Sequence, residues 1–224
     1  MKRIAEADWG FTLLELMISM TIIAIMATVG TQAYQGAMVA AKMNKDLRNQ
    51  GEIVKVLVAN SVDNAGHFLS KDEEKDAPFT TSTDAFNYLM ITQDIKNEDL
   101  FFTPGSPSKA ANVDRNGRLD QNENCMSYVV GLQGSDGSPI IADEMIGSGT
   151  YGATHPWLKK KKAIVGYTDG SVRAEALTSN QEGATIKVGK NITNIFQPGS
   201  RSEDGEISGG LLPSYLTPDA VLNP

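Results

Sequence analysis

The chain has 224 residues, of which 41% are hydrophobic and 21% are charged, a composition typical of a folded protein rather than a disordered or fibrous one. Its formal net charge of −7 argues against nucleic acid as the main partner, because phosphate binding requires clustered Lys and Arg. Cys125 is the single cysteine, and His67 and His155 are the two histidines, which excludes an intramolecular disulfide and a four-ligand Cys/His zinc site.

An apolar segment lies near the N-terminus, at residues 11–30, with the sequence FTLLELMISMTIIAIMATVG. A helix needs about 20 such residues to cross a bilayer core of about 30 Å, and Glu15 is the single charge in this run. The preceding residues 1–10 carry acids as well as bases, and no small-residue cleavage site follows the apolar run, which disfavours a cleaved secretory signal. The sequence therefore predicts one retained membrane span.

Glu15 is the unusual residue of this segment, because a carboxylate at membrane depth costs about 2.5–3.5 kcal/mol and is by default a functional candidate. A cut between Gly10 and Phe11 would place a new α-amino group one helical turn from Glu15. That amine, in the same subunit or in a neighbour, would neutralise the carboxylate. The alternative is a carboxylate that simply lies at the membrane edge.

The run GFTLLE, with Gly10, Phe11 and Glu15, resembles the N-terminal signature of type IV pilins and of the pseudopilins of type II secretion systems. The resemblance implies that a prepilin peptidase cuts after Gly10, that Phe11 is N-methylated, and that Glu15 pairs with the amino terminus of an adjacent subunit. It implies homologous pilin-like subunits as partners and bacterial inner-membrane lipid around a single-pass helix. The head would lie in the periplasm or on an extracellular filament.

Beyond the apolar segment, hydrophobic residues recur at helical spacing up to about residue 64, and no proline interrupts them. Residues 11–62 are therefore predicted to form one helix of about 75 Å, whose second half is amphipathic and packs on a globular head. We expect four parts in the chain: a leader at 1–10, a transmembrane segment at 11–30, an amphipathic continuation at 31–64 and an α+β head at 65–224.

In the head, residues 84–93 are predicted to form a short amphipathic helix, capped by Ser82 or Thr83. Strands are expected at residues 127–132, 139–143, 162–168 and 171–176, with a further one at 184–188. The pair Asp169-Gly170 favours a two-residue type I′ hairpin, and therefore an antiparallel sheet. A long N-terminal helix packed on an antiparallel sheet gives an α+β fold, and this order of elements resembles that of pilins and pseudopilins.

The order of His155, an apolar strand and Asp169-Gly170 is similar to the tails of pilin-like proteins that end in an H-x9-DG motif. Here thirteen residues separate His155 from Asp169, and the lysines at 159–162 account for much of the difference. We interpret these lysines as a solvated face at a strand edge, with a basic patch for anionic lipid or an acidic partner as the alternative. We interpret His155 as structural, because no Cys or second His lies near it in sequence.

Residues 112–123 fit the twelve-residue calcium loop of EF-hands, with Gly117 at the sharp turn. The expected ligands are side-chain oxygens of Asn112, Asp114, Asn116, Asp120 and Glu123 and the backbone carbonyl of Arg118. No helix is predicted on either side, so the loop resembles the free-standing kind found in extracellular proteins, and Leu119 should point into the core. Ca²⁺ would be a structural cofactor bound at about 10⁻⁴–10⁻³ M, and the alternative is a polar turn without an ion.

The sequence is compatible with two functions. The first is a structural filament subunit, a pilin or pseudopilin whose work is assembly rather than catalysis. The second is a membrane-anchored periplasmic calcium-binding or enzymatic module unrelated to filaments. The chain has no G-x-S-x-G, P-loop, dinucleotide or H-E-x-x-H motif, so we expect no enzyme. The N-terminus discriminates between the two, because an anchored enzyme needs no cut between Gly10 and Phe11.

Overall fold

The computed structural model describes residues 11–74, 76–106, 116–120, 122–190, 192, 194–201 and 207–224. The chain divides into two units, one that ends at Ala41 and one from Lys42 to Pro224. Helix α1, Leu13–Asp63, begins in the first unit and ends in the second. The single long helix predicted from the sequence is thereby confirmed, with ends that differ from the prediction by one or two residues.

The end of α1 is set by backbone conformation rather than by proline. Ala65 and Gly66 have φ values of 54° and 85°, which lie in the left-handed region and stop the helix. The backbone N–H of Gly66 returns to the carbonyl of Ser61 at 2.7 Å, so that a carbonyl of the last turn keeps a partner.

The second unit contains a five-stranded sheet with a second helix and several short elements. In chain order these are β1 (Lys71–Asp72), β2 (Ala77–Pro78), α2 (Ser82–Thr92), a 3₁₀ helix (Glu98–Phe101), β3 (Met126–Val129), β4 (Pro139–Asp143), a 3₁₀ helix (Leu158–Lys160), β5 (Lys162–Tyr167), β6 (Val172–Ala176), β7 (Ser200–Arg201), β8 (Ile207–Ser208), a 3₁₀ helix (Pro218–Ala220) and β9 (Val221–Leu222). The main sheet has the order β6-β5-β4-β3-β9, and every neighbouring pair is antiparallel. The expected α+β fold is confirmed.

The N-cap of helix α2 lies before both predicted caps, one residue before Ser82 and two before Thr83. Thr81 is the N-cap: its hydroxyl accepts the N–H of Asp84 at 3.2 Å, and the Asp84 carboxylate accepts the N–H of Thr81 at 3.1 Å. This capping box leaves Ser82 free to donate to the carbonyl of Met126, which fixes the start of α2 on β3.

Two other local predictions are wrong. Residues 184–188 form isolated bridges, such as Leu177 with Ile186, instead of a strand. The β5–β6 hairpin exists, but its turn is not type I′, because Gly170 has a φ of 86° whereas Asp169 has no positive φ. The N–H of Tyr167 pairs with the carbonyl of Ser171, which makes a three-residue loop closed by a glycine in the left-handed region.

The lysines at 159–162 are all exposed, as expected of a solvated face. Their expected position at a strand edge is wrong, however. Strand β5, which begins at Lys162, pairs with β4 on one side and with β6 on the other, so it lies inside the sheet.

The last turns of α1 pack on the sheet through fully buried residues, among them Ile53, Val54 and Leu57. The closest approach is at Gly166 in β5. A Cβ atom built there would lie 2.4 Å from Val54 and 2.6 Å from Ile141, so a glycine is required for α1 to lie this close to the strand.

Candidate functional site

The N-terminal end of α1 is held by a reciprocal cap between Thr12 and Glu15. The Glu15 carboxylate accepts hydrogen bonds from the backbone N–H and the hydroxyl of Thr12, both at 2.9 Å, and the N–H of Glu15 donates to the Thr12 hydroxyl at 3.2 Å. This is the T-x-x-E capping box, which the run Thr12-Leu13-Leu14-Glu15 already contains. Phe11 is 86% exposed beside it, and Gly10 lies outside the described residues.

The apolar part of α1 has no packing partner in the described chain. Its most apolar 18-residue window has a mean hydropathy of 2.0, and none of that window is buried. By length and composition α1 is the one described helix able to cross a membrane. A helix that is apolar on all faces and exposed requires lipid or other helices around it, because water would not stabilise it.

A known sequence motif lies at the N-terminal end of the chain, where the apolar helix begins. The chain carries a prokaryotic N-terminal methylation motif at residues 10–31. The methylation motif covers Phe11, Glu15 and the whole of the apolar segment 11–30. Together with a long N-terminal helix and an antiparallel sheet, it makes the chain pilin-like, and the single apolar helix fits single-pass membrane anchoring. No curated protein and no solved structure matches the chain.

The predicted calcium loop is described only in its second half. Asn112 and Asp114 lie outside the described residues, whereas Asn116, Arg118, Asp120 and Glu123 lie within them. The side-chain oxygen of Asn116 accepts the N–H of Arg118, and the Glu123 carboxylate accepts the N–H of Asp120, both at 2.9 Å. Within the described ranges, no three His, Cys, Asp or Glu side chains form a group that could hold a metal ion.

Asn87 on α2 fixes the described half of this loop to the head. Its side chain accepts the N–H of Leu119 at 2.8 Å and donates to the carbonyl of Leu119 at 2.9 Å. Leu119 is buried in the core, as the sequence predicted. Gly117 has a φ of 87°, the left-handed conformation for which a glycine is favoured at the turn.

A buried carboxylate contacts the same loop from outside it. Glu98, the first residue of the 3₁₀ helix Glu98–Phe101, is fully buried, and its Oε1 atom accepts the backbone N–H of Gly117. Nothing local in the sequence marks Glu98, because an acid in the run Asn97-Glu98-Asp99 is typical of a solvated surface.

A second buried polar cluster links α1 to the sheet. Trp157 donates from its indole nitrogen to Oδ2 of Asp46 at 3.0 Å, and both side chains are buried. Nearby, Nε2 of His155 lies 3.0 Å from Oδ2 of Asp143, which also accepts the N–H of Ile164. His155 therefore lies inside the head beside a carboxylate, as expected for a structural histidine.

Several oxygens and nitrogens of this cluster have no hydrogen-bond partner in the described chain, among them Oδ1 of Asp46, Oδ1 of Asp143, both side-chain polar atoms of Gln50 and the hydroxyl of Tyr151. Burial raises the pKa of Asp46 well above its ordinary value, and the nearby Asp143 carboxylate is the second cause of this shift. Asp46 lies outside the apolar segment 11–30, so the surroundings that cause this shift are those of the head.

Proposed function

We propose that the chain is a structural subunit of a filament, either a pilin of a type IV pilus or a pseudopilin of a type II secretion system. The observation that carries the proposal is the methylation motif at the start of an exposed apolar helix. In this proposal a prepilin peptidase cuts after Gly10, Phe11 becomes N-methylated, and the helix remains in the inner membrane until assembly. The head lies in the periplasm or on an extracellular filament.

Glu15 has a defined part in this proposal. Its carboxylate accepts hydrogen bonds from Thr12 at an exposed position, and a carboxylate has about four acceptor sites, so it retains capacity for another donor. The α-amino group of a neighbouring subunit is a suitable donor, since an ion pair is stronger among apolar side chains than in water. Homologous subunits would thus be aligned by pairing Glu15 with the amino terminus next to it.

We also propose that residues 112–123 bind Ca²⁺ as a structural cofactor of the head. Support comes from the oxygen-bearing residues at the required spacing, from the left-handed conformation of Gly117, and from the attachment of Leu119 to Asn87. The role is one of stability, and the proposed function includes no catalysis.

Processing and assembly are tested together in cells with and without a prepilin peptidase. The intact mass and N-terminal sequence of the membrane-extracted protein should show a product that starts at methylated Phe11 only when the peptidase is present.

Glu15→Leu should be cleaved as well as the wild type but should be absent from sheared filaments, because it cannot pair with a neighbouring amine. Ser19→Ala, one turn further along α1, is the matched control and should assemble.

A chain that still begins at Met1 in the presence of the peptidase would contradict processing. Cleavage and normal assembly of Glu15→Leu would contradict the proposed role of Glu15 while leaving the processing step intact. If neither processing nor assembly occurs, the membrane-anchored periplasmic module becomes the better description of the protein.

A further inference from the structure

Exposed lysines of the head occur on two segments that are far apart in sequence. Lys42 and Lys45 lie on α1 at the start of the unit Lys42–Pro224, and the other four are the run 159–162. We call these six residues the basic patch. None of them forms an ion pair with an acid in the described part of the chain. The patch is therefore opposite in sign to a chain whose formal net charge is −7.

The fold brings the two segments of the basic patch together. The indole nitrogen of Trp157 donates to Asp46, which lies one helical turn after Lys42, at 3.0 Å. Lys42 also approaches the segment that leads to Trp157: a Cβ atom built on Gly105 would lie 3.9 Å both from Nζ of Lys42 and from Cβ of Pro156. The lysines of α1 and the lysine run thus belong to one surface of the head.

A tight turn holds the lysine run in a fixed backbone conformation. The carbonyl of Trp157 accepts the N–H groups of Lys160 at 2.9 Å and of Lys162 at 3.3 Å, and the carbonyl of Leu158 accepts the N–H of Lys161 at 2.9 Å. Lys161 has a φ of 53°, in the left-handed region, which ends the 3₁₀ helix. Because the backbone is already ordered, little conformational freedom remains to be lost when the lysines bind a partner.

Acids on the neighbouring elements do not neutralise the patch. Burial raises the pKa of Asp46 and so favours its uncharged form. Glu144 is buried and accepts the hydroxyl of Ser106 at 2.6 Å. On β6, next to β5, the carboxylate of Glu175 accepts the hydroxyl of Tyr167 at 2.8 Å. The positive charge of the patch is therefore available to a partner outside the chain.

We propose that the basic patch binds anionic lipid headgroups of the membrane that the apolar helix spans, and that this contact holds the head at the membrane before assembly. The inference rests on the membrane anchoring in the proposed function. Lys42 follows Gly30, the last residue of the apolar segment, by twelve residues, so a short tether keeps lipid at high effective concentration near the patch.

The chemistry of the patch fits a lipid surface. A lysine ammonium is a compact, strongly hydrated charge on a flexible side chain, which suits a field of mobile phosphates more than one fixed, bidentate partner. Each lysine near an anionic surface strengthens the attachment about fivefold. An acidic surface on a neighbouring subunit is the competing partner, and the experiment distinguishes the two.

The test uses the full chain with Trp9→Phe, which makes Trp157 the single tryptophan, directly before the 3₁₀ helix that begins the lysine turn. The protein is reconstituted into phosphatidylcholine vesicles that contain a trace of dansyl-labelled lipid, with or without about 30% phosphatidylglycerol. Energy transfer from Trp157 to the dansyl headgroups should rise with phosphatidylglycerol. It should return to the neutral-vesicle value in about 1 M NaCl, where charges are screened beyond about 3 Å.

The double variant Lys159→Gln/Lys160→Gln should lose most of this rise, because two lysines at about fivefold each lower the ratio of bound to free heads about 25-fold. The matched control is Lys55→Gln/Lys96→Gln. It removes the same charge from two exposed lysines that already face an acid, at 2.9 Å and 3.7 Å, and should respond like the wild type. All four side chains are exposed, so both variants should fold.

Energy transfer that does not depend on lipid charge in the wild type would overturn the proposal. An equal loss in the two double variants would also overturn it, because net charge and not the patch would then be responsible. Wild-type energy transfer in Lys159→Gln/Lys160→Gln together with a loss of sheared filaments would assign the patch to an acidic surface of a neighbouring subunit instead of to lipid.

Flotation of the wild type with neutral vesicles separates this inference from the function on which it rests. A chain that does not float with neutral vesicles would contradict the membrane anchoring itself, and the lipid contact with it. A chain that floats but shows no response to phosphatidylglycerol would contradict the lipid contact alone.

Discussion

At Asp46, an acid on α1 lies where water does not reach it. One carboxylate oxygen accepts the indole N–H of Trp157, and the other has no partner in the described part of the head. Burial favours the neutral form, and the nearby Asp143 carboxylate favours it further, so the pKa of Asp46 is raised well above its ordinary value. The folded head therefore retains a proton that the unfolded chain releases at a lower pH.

This proton makes the stability of the head depend on pH in a definite direction. The pKa of Asp46 is higher in the folded state than in the unfolded chain, so its protonation stabilises the folded head. This stabilisation is complete below the unfolded pKa of about 3.9 and is lost as the pH rises through the folded pKa. The free energy of unfolding should fall by up to about 1.4 kcal/mol per pH unit in that window. Asp46→Asn, which mimics the neutral acid, should remove this slope.

The measurement is chemical denaturation at several pH values between about pH 5 and pH 8, with unfolding monitored by the fluorescence of Trp157. After a cut at Gly10 the leader and Trp9 are gone, so Trp157 is the remaining tryptophan and reports directly on the contact with Asp46. Asp94→Asn, an exposed acid, is the control and should keep the wild-type slope. Parallel pH profiles for the wild type and Asp46→Asn would show that Asp46 is not the group that titrates.

Residues with a local signal were predictable, and residues with a tertiary role were not. Glu15 stands out because it is a single charge in an apolar run, and Gly117 because a loop pattern requires a glycine. Glu98 and Asp46 look like ordinary surface acids in sequence. They are buried because α1, the sheet and the 3₁₀ helix pack around them, a consequence of distant contacts that no local window contains.

At the scale of elements, long and regular segments were predictable and short pairings were not. Helix α1 and strand β4 follow from a helical apolar stripe and a short apolar run, and their bounds lie close to those predicted. Strand β9, Val221–Leu222, was missed, because two residues become a strand only by pairing with β3. Thr81 was missed as the cap of α2, since four successive hydroxyl residues, 80–83, compete and Asp84 selects among them.

The contact between α1 and β5 leads to a prediction about two glycines. Gly166→Ala should destabilise the head by about 1–3 kcal/mol, because the new methyl group would overlap Val54 and Ile141 and force α1 away from the sheet. Gly51 lies inside α1, and a Cβ atom added there would have no atom within 4 Å beyond the adjoining residues and backbone of its own helix, so Gly51→Ala should instead stabilise the head by about 0.5–1 kcal/mol. Chemical denaturation of both variants measures whether each substitution lowers or raises the free energy of unfolding. If the two variants were equally stable, α1 would not cross β5 at Gly166.

At the scale of the whole molecule, the two units differ in what stabilises them. The buried hydrophobic residues run from Ile53 to Val221, so the core of the head belongs entirely to the unit Lys42–Pro224. The unit up to Ala41 contains the methylation motif and the exposed apolar helix. The core of the head and the exposed apolar helix with its methylation motif thus belong to separate parts of one chain.

This division predicts that a fragment of residues 42–224 is soluble without detergent and unfolds cooperatively. A fragment of residues 64–224 should fail to fold, because it lacks Ile53, Val54 and Leu57, whose burial contributes about 1.5–3 kcal/mol each, against a total stability of about 5–15 kcal/mol. Circular dichroism and thermal melts of the two purified fragments make the comparison. A folded 64–224 fragment would show that the head does not need α1 for its core, whereas an insoluble 42–224 fragment would show that the head depends on the apolar unit.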